Sequence, residues 1–214
     1  MRTSSFVSFA IVLGGFIATP AEAQSNEQFW RNTWFWGAQG GVFLYSAGGS
    51  QEVGAGFGGH WFITQNRTAL NLSFDQLILS NSQTNLASGR AVDFNRAQRL
   101  SATVYAMPNS GALQVYLGGG FAIQHVTNSL AQGPFATTSE QTSVNNQVEQ
   151  LATKAFLILG GGIQWRWLNK LVLFGQYQFQ PSTGDFLITS GQHAIQGGLR
   201  YALTGSKEVV SSSR

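Results

Sequence analysis

Around residue 125 the chain gathers groups that could do covalent chemistry. His125 and Thr127 sit two positions apart, Asn128 follows, and Glu140 lies downstream. In an extended strand, residues two apart share a face, so the imidazole and the hydroxyl can approach each other. A base beside a hydroxyl is the minimum that nucleophilic catalysis needs. The other ionisable groups of interest are scattered: Glu52, His60, Asp75, Arg99, Arg166 and Arg200. His60, His125 and His193 lack metal-ligand spacing, and no metal is expected. No phosphate-binding fingerprint occurs among the 26 glycines, and no cofactor is expected.

Positioning these residues falls to strands. The sequence reads as eight strand-like segments, at roughly 34–46, 52–64, 68–79, 91–107, 113–126, 151–167, 171–180 and 192–203. Several alternate with period two. Leu113, Val115, Leu117, Phe121 and Ile123 share one face, and Gln114, Tyr116 and Gln124 take the other. Leu171, Leu173, Tyr177 and Phe179 oppose Gln176, Gln178 and Gln180, and Ile195, Leu199, Tyr201 and Leu203 oppose Gln196 and Arg200. Such alternation gives each strand two unlike surroundings. It turns Glu52, His60, Asp75, Arg99, Arg166 and Arg200 inward as a polar lumen network. Opposite charges there should pair, because an isolated buried charge is costly. Gly54, Gly56, Gly58, Gly118, Gly120, Gly160 and Gly162 share the inward parity and should make room for larger lumen side chains. Phe94 and Arg96 share a parity, which points to a bulge or to Arg96 lying above the apolar band.

The connections alternate in length. Tight turns are expected at Gln65–Arg67, Pro108–Gly111 and Leu168–Lys170. Apart from the short Gly48-Gly49-Ser50 link, the others are long and polar, at 80–90, 127–150 and 181–191. The 127–150 loop reads as a flexible solvated segment, or as a surface for a ligand. Trp34, Trp36, Trp61, Trp165 and Trp167, with Trp30 just upstream, all fall at the tight-turn end. Indoles favour a membrane interface, and Tyr201 joins them there.

Composition narrows the class. Charged residues make up 10% of the chain against about 25% in soluble domains, cysteine is absent, and the net charge of +3 comes from scattered groups. No basic stripe suggests nucleic acid. Arg2, the apolar run Phe6–Ile17 and Ala21-Glu22-Ala23 read as a secretory signal over 1–23. Residues 24–33 would be an N-terminal periplasmic segment, 34–203 the barrel and 204–214 a short tail. After the signal, no apolar run is long enough for a membrane helix. In lipid, a chain without one can satisfy its backbone only as a closed barrel.

With these features the chain resembles the small eight-stranded outer-membrane β-barrels of the OmpA/OmpX type. The resemblance covers about 34–203. Gln196-Gly197-Gly198-Leu199-Arg200-Tyr201-Ala202-Leu203 is similar to the polar-x-Gly-x-x-hydrophobic-x-hydrophobic ending of that family, which implies recognition by the barrel-assembly machinery through Gln196, Gly198, Tyr201 and Leu203. It also implies contact with outer-membrane lipid and lipopolysaccharide, and a structural or surface-interaction role rather than an enzymatic one.

Two other readings compete. His125-Val126-Thr127-Asn128 with Glu140 is similar to the His-x-Ser-Asn motif of lipid A deacylase barrels, with Thr in place of Ser. That resemblance implies His125 as base, Thr127 as nucleophile and Glu140 as orienter. The third reading is an exported lipocalin- or avidin-like barrel, with apolar inside and polar outside. A general porin is disfavoured by size, since an open aqueous lumen needs about twice as many strands.

Overall fold

A computed structural model describes residues 29–86, 88–108, 111–182, 185–188 and 191–203. The expected signal segment 1–23, the tail 204–214 and residues 24–28 lie outside them. Nine strands run β1 (Trp34–Ala47), β2 (Ser50–Gln65), β3 (Thr68–Asn85), β4 (Ala91–Ala106), β5 (Leu113–Thr127), β6 (Leu130–Ala131), β7 (Thr153–Arg166), β8 (Leu171–Gln180) and β9 (Gln192–Ala202). A helix, α1 (Thr138–Ala152), precedes β7. The eight long strands pair antiparallel in chain order, and β1 pairs with β9 from Phe35↔Ala202 to Leu44↔His193. The sheet is therefore a closed up-and-down barrel, and closure leaves no free edge. The short β6 extends the outer end of β4 through Val92↔Ala131.

Alternation sorts the side chains. On β5, Leu117 is 70% and Phe121 68% exposed on the outside, while Gln114, Tyr116 and Gln124 are buried inside. On β8 and β9, Tyr177, Ile195, Leu199 and Tyr201 face out and the glutamines face in. The outside is apolar and the middle of the inside polar. That is the reverse of the lipocalin- or avidin-like alternative and removes its physical basis.

Several expectations need correction. The strand ending near 79 instead runs to Asn85, so much of the 80–90 loop is sheet. Its register against β4 slips between Ile78↔Arg96 and Ser82↔Phe94. This bulge flips parity on both strands. Val92 and Phe94 point inward above it, Ala97 and Arg99 below it, and Arg96 is left exposed. Gly48 and Gly49 close the β1–β2 hairpin at φ +57° and +88°, the left-handed pair that two-residue hairpin turns require.

The 127–150 segment is not a flexible polar loop. Its second half is helix α1, with Thr137 as N-cap accepting a bond from the Glu140 amide at 3.1 Å. Val144, Val148 and Ala152 fall at helical spacing on one face. They are buried in the same apolar cluster as Phe43, Phe94, Phe156 and the loop residues Phe186, Leu187 and Ile188. Phe186, Leu187 and Ile188 of the 181–191 connection therefore also turn inward, because three consecutive apolar residues gain by packing over the barrel mouth. A second cluster closes the turn end with Phe29, Trp30, Phe35, Phe62, Tyr105 and Tyr116 among its members. Trp30 thus differs from the other five tryptophans. It is buried, and its indole N–H donates to the Gly111 carbonyl at 3.0 Å. The expected periplasmic segment thereby contributes a lumen plug in residues 29–30.

Candidate functional site

Between the two apolar ends the lumen carries a polar layer supplied by six strands. Asp75 on β3 lies opposite Arg99 on β4. Arg99 donates to Asp75 Oδ2 from Nη2 at 2.8 Å and from Nε at 3.3 Å. Asp75 Oδ1 accepts from Gln39 Nε2 at 2.6 Å and Gln196 Nε2 at 3.3 Å. Gln176 Nε2 donates to Gln196 Oε1 at 3.0 Å, and Tyr116 donates its hydroxyl to Gln176 Oε1 at 3.3 Å. A chain of bonds thus crosses the barrel and ties β1, β3, β4, β5, β8 and β9. The Arg99 guanidinium also lies 4.7 Å from the Phe43 ring centre.

Arg200 is held differently. Its Nε donates to His60 Nε2 at 3.0 Å, which requires a neutral imidazole with the proton on Nδ1. Its Nη1 donates to Gln164 Oε1. The planar group lies between the rings of Phe62 and Phe174, at 3.9 and 4.0 Å from their centres. Among the described residues no carboxylate pairs with it. Opposite lumen charges were expected to pair, which Asp75 and Arg99 do and Arg200 does not. Two π faces and two neutral acceptors hold the cation, as a weakly hydrated guanidinium allows.

The remaining expected lumen residues lie at the ends. Glu52 accepts from Tyr45 at 3.0 Å and from Ser82 at 2.5 Å beside the loop-end cluster. Arg166 stacks 4.3 Å from the Phe29 ring at the turn end. The six residues thus fall into four separate groups: Asp75 with Arg99, His60 with Arg200, Glu52 at the loop end and Arg166 at the turn end. The sequence reading missed the glutamines and aromatics that hold them, Gln39, Gln164, Phe62 and Phe174. All four carry the inward parity of their strands, which was the available signal.

Glycines set the space. At Gly56 a Cβ would stand 2.2 Å from the Phe43 ring, so this glycine does yield room to a lumen side chain. Gly118 and Gly120 differ, since a Cβ there would meet the backbone oxygens of Val104 and Ala102 at 1.9 and 2.0 Å. Their role is close approach of β4 to β5.

The proposed nucleophilic group does not assemble. His125 faces outward, and its Nδ1 is 2.7 Å from the hydroxyl of Thr153, its cross-strand partner on β7, rather than bonded to Thr127. Glu140 is committed elsewhere. Its carboxylate takes the Ala136 amide at 2.8 Å and pairs with Arg90. These two contacts hold its pKa below the usual glutamate range, the Ala136 amide contributing most. Helix formation, unread in the sequence, carried Glu140 into a capping role.

On the outside, Trp34, Trp36, Trp61, Trp165 and Trp167 are all exposed at the turn end, with Tyr201 and Leu203 beside them. In the last strand, Gln196 belongs to the lumen network. A Cβ at Gly198 would sit 2.0 Å from the Ala38 carbonyl oxygen, so only glycine fits that strand contact.

No protein-family model matches the chain, and no curated protein matches it. Solved structures do. Neisserial surface protein A is similar over 78% of this chain and 96% of its own, at 10% identity and a TM-score of 0.56. The N-terminal β-barrel domain of Pseudomonas aeruginosa OprF is similar over 80% of this chain and 98% of its own, at 12% identity and a TM-score of 0.50. At such low identity the likeness is one of fold, that of small eight-stranded outer-membrane barrels.

Proposed function

We propose that this chain is an outer-membrane β-barrel with a structural or surface-interaction role, exported by the signal in 1–23 and inserted by the barrel-assembly machinery. The observation that carries this reading is the apolar outer belt, with five exposed indoles at one end, around a lumen filled by its own side chains. Such a belt is costly in water and suited to hydrocarbon. The tight turns and both chain ends then face the periplasm, and α1 with the 181–191 loop faces outward. The ordered helix, rather than a flexible loop, offers the surface for a neighbouring molecule, with lipopolysaccharide around it.

Because both lumen ends are packed with apolar side chains, the barrel is a poor conduit. Planar-bilayer recordings should show no steady conductance. Protease added to intact cells should cut within 128–152 and spare the tight turns. Periplasmic fractionation of an uncut, soluble chain would overturn the reading.

A further inference from the structure

The outer wall formed by β9, β1, β2 and β3 is not uniform. Leu199, Ala38, Gly59 and Phe74 stand side by side in one row across these strands. The two middle positions carry a methyl group or nothing, while the flanking positions are bulky. One row nearer the turns stand Tyr201, Trp36, Trp61 and Leu72. The result is an apolar groove of about 770 Å³, floored by Ala38 and Gly59 and bordered by the two indoles.

Charge is also unevenly placed. Arg31, Arg67 and Lys170 are exposed at the turn end, where the groove begins. The Lys170 ammonium lies 5.9 Å from the ring of Tyr201, which lines the groove, and Arg31 donates to Asn66 Oδ1 at 3.3 Å in the β2–β3 turn. Among the described residues no carboxylate lies at this end. Glu52, Asp93, Glu140, Glu149 and Asp185 all lie toward the loops. An apolar slot headed by cations at an indole belt matches a molecule with a hydrocarbon tail and an anionic head.

Resting on the outer-membrane reading above, we propose that the groove holds an acyl chain of an anionic phospholipid of the periplasmic leaflet, its phosphate among Lys170, Arg31 and Arg67. The test is native mass spectrometry of the folded full chain in detergent with dioleoyl phosphatidylglycerol or dioleoyl phosphatidylcholine. Two variants accompany it. Gly59→Leu fills the groove, and the nearest neighbour of a Cβ there is the Gly37 oxygen at 3.6 Å, an ordinary contact that leaves the backbone undisturbed. Lys170→Gln with Arg31→Gln and Arg67→Gln removes the cations. Heat-dependent gel mobility, measured on each sample, reports the barrel itself, so loss of lipid binding is distinguishable from loss of the fold. The expected result is one retained phosphatidylglycerol, lost in Gly59→Leu and weakened by roughly fivefold per cation removed. Equal retention of phosphatidylcholine would overturn the proposal. So would a dimer that Gly59→Leu dissociates, which would make the groove an interface with a second copy.

Discussion

Asp75 and Arg99 face each other across one rung of β3 and β4, paired at 2.8 Å with side chains 0% and 1% exposed. Two glutamines from strands not adjoining β3, Gln39 on β1 and Gln196 on β9, complete the Asp75 carboxylate. The pair therefore fixes register and holds opposite walls together. Removing one partner strands a buried charge, which costs about 3–5 kcal/mol, whereas replacing both by apolar residues is often neutral. Asp75→Asn should lower stability by that amount in urea unfolding from lipid vesicles. Asp75→Leu with Arg99→Met should recover most of it.

Arg200 makes a different demand. Its cation is held flat between Phe62 and Phe174, with His60 and Gln164 as acceptors. A lysine keeps the charge but not the planar fork. Arg200→Lys should cost about 2 kcal/mol in the same unfolding assay, from the weakened cation–π contact and a lost hydrogen bond. A neutral result would show that charge alone matters there.

Backbone approach gives a paired test with unlike outcomes. A Cβ at Gly118 would lie 1.9 Å from the Val104 oxygen, whereas one at Gly175 would meet nothing within 4 Å. Gly118→Ala should destabilise by about 1–3 kcal/mol or block closure, as overpacking does. Gly175→Ala should fold as the parent chain does, with both read by heat-dependent gel mobility.

Glu140 ties loop-face order to pH. Its folded pKa lies below the unfolded value because the Ala136 amide and Arg90 favour the carboxylate. Its contribution is therefore fully present above the ordinary glutamate pKa of 4.5 and is lost as pH falls through the lower folded value. Hydrogen exchange of the α1 amides should quicken as pH drops through that acid window, after correction for intrinsic rates. Glu140→Gln should exchange faster at neutral pH and lose this pH dependence.

Much of the barrel could be read from alternation, because each wall residue meets one of two unlike surroundings. Leu117 and Gln124 declare opposite faces in the sequence as clearly as in space. Where alternation failed, geometry intervened. The β3–β4 bulge turned Phe94 inward and left Arg96 outside; the shared parity of these two residues had pointed to a bulge there but not to its place on β3. Helix α1 was hidden by its polar composition, although Thr137 and Glu140 stood at capping-box spacing and Val144 and Val148 at a helical interval. The Phe186–Ile188 run was concealed by the polar residues around it. Partner choice in the lumen was illegible, since parity says which residues face inward but not that Arg200 finds rings and Asp75 finds glutamines. His125 found Thr153 for a similar reason, as cross-strand register rather than sequence proximity set its neighbour.

A closed, lipid-suited barrel is tested most directly by gel mobility of the folded chain in SDS, run boiled and unboiled. A closed ring of backbone hydrogen bonds should resist SDS until heated. The account predicts two bands of different mobility, with the heat-sensitive form recovered in outer-membrane fractions. A single band at the same position in both lanes, from protein soluble in the periplasm, would contradict it.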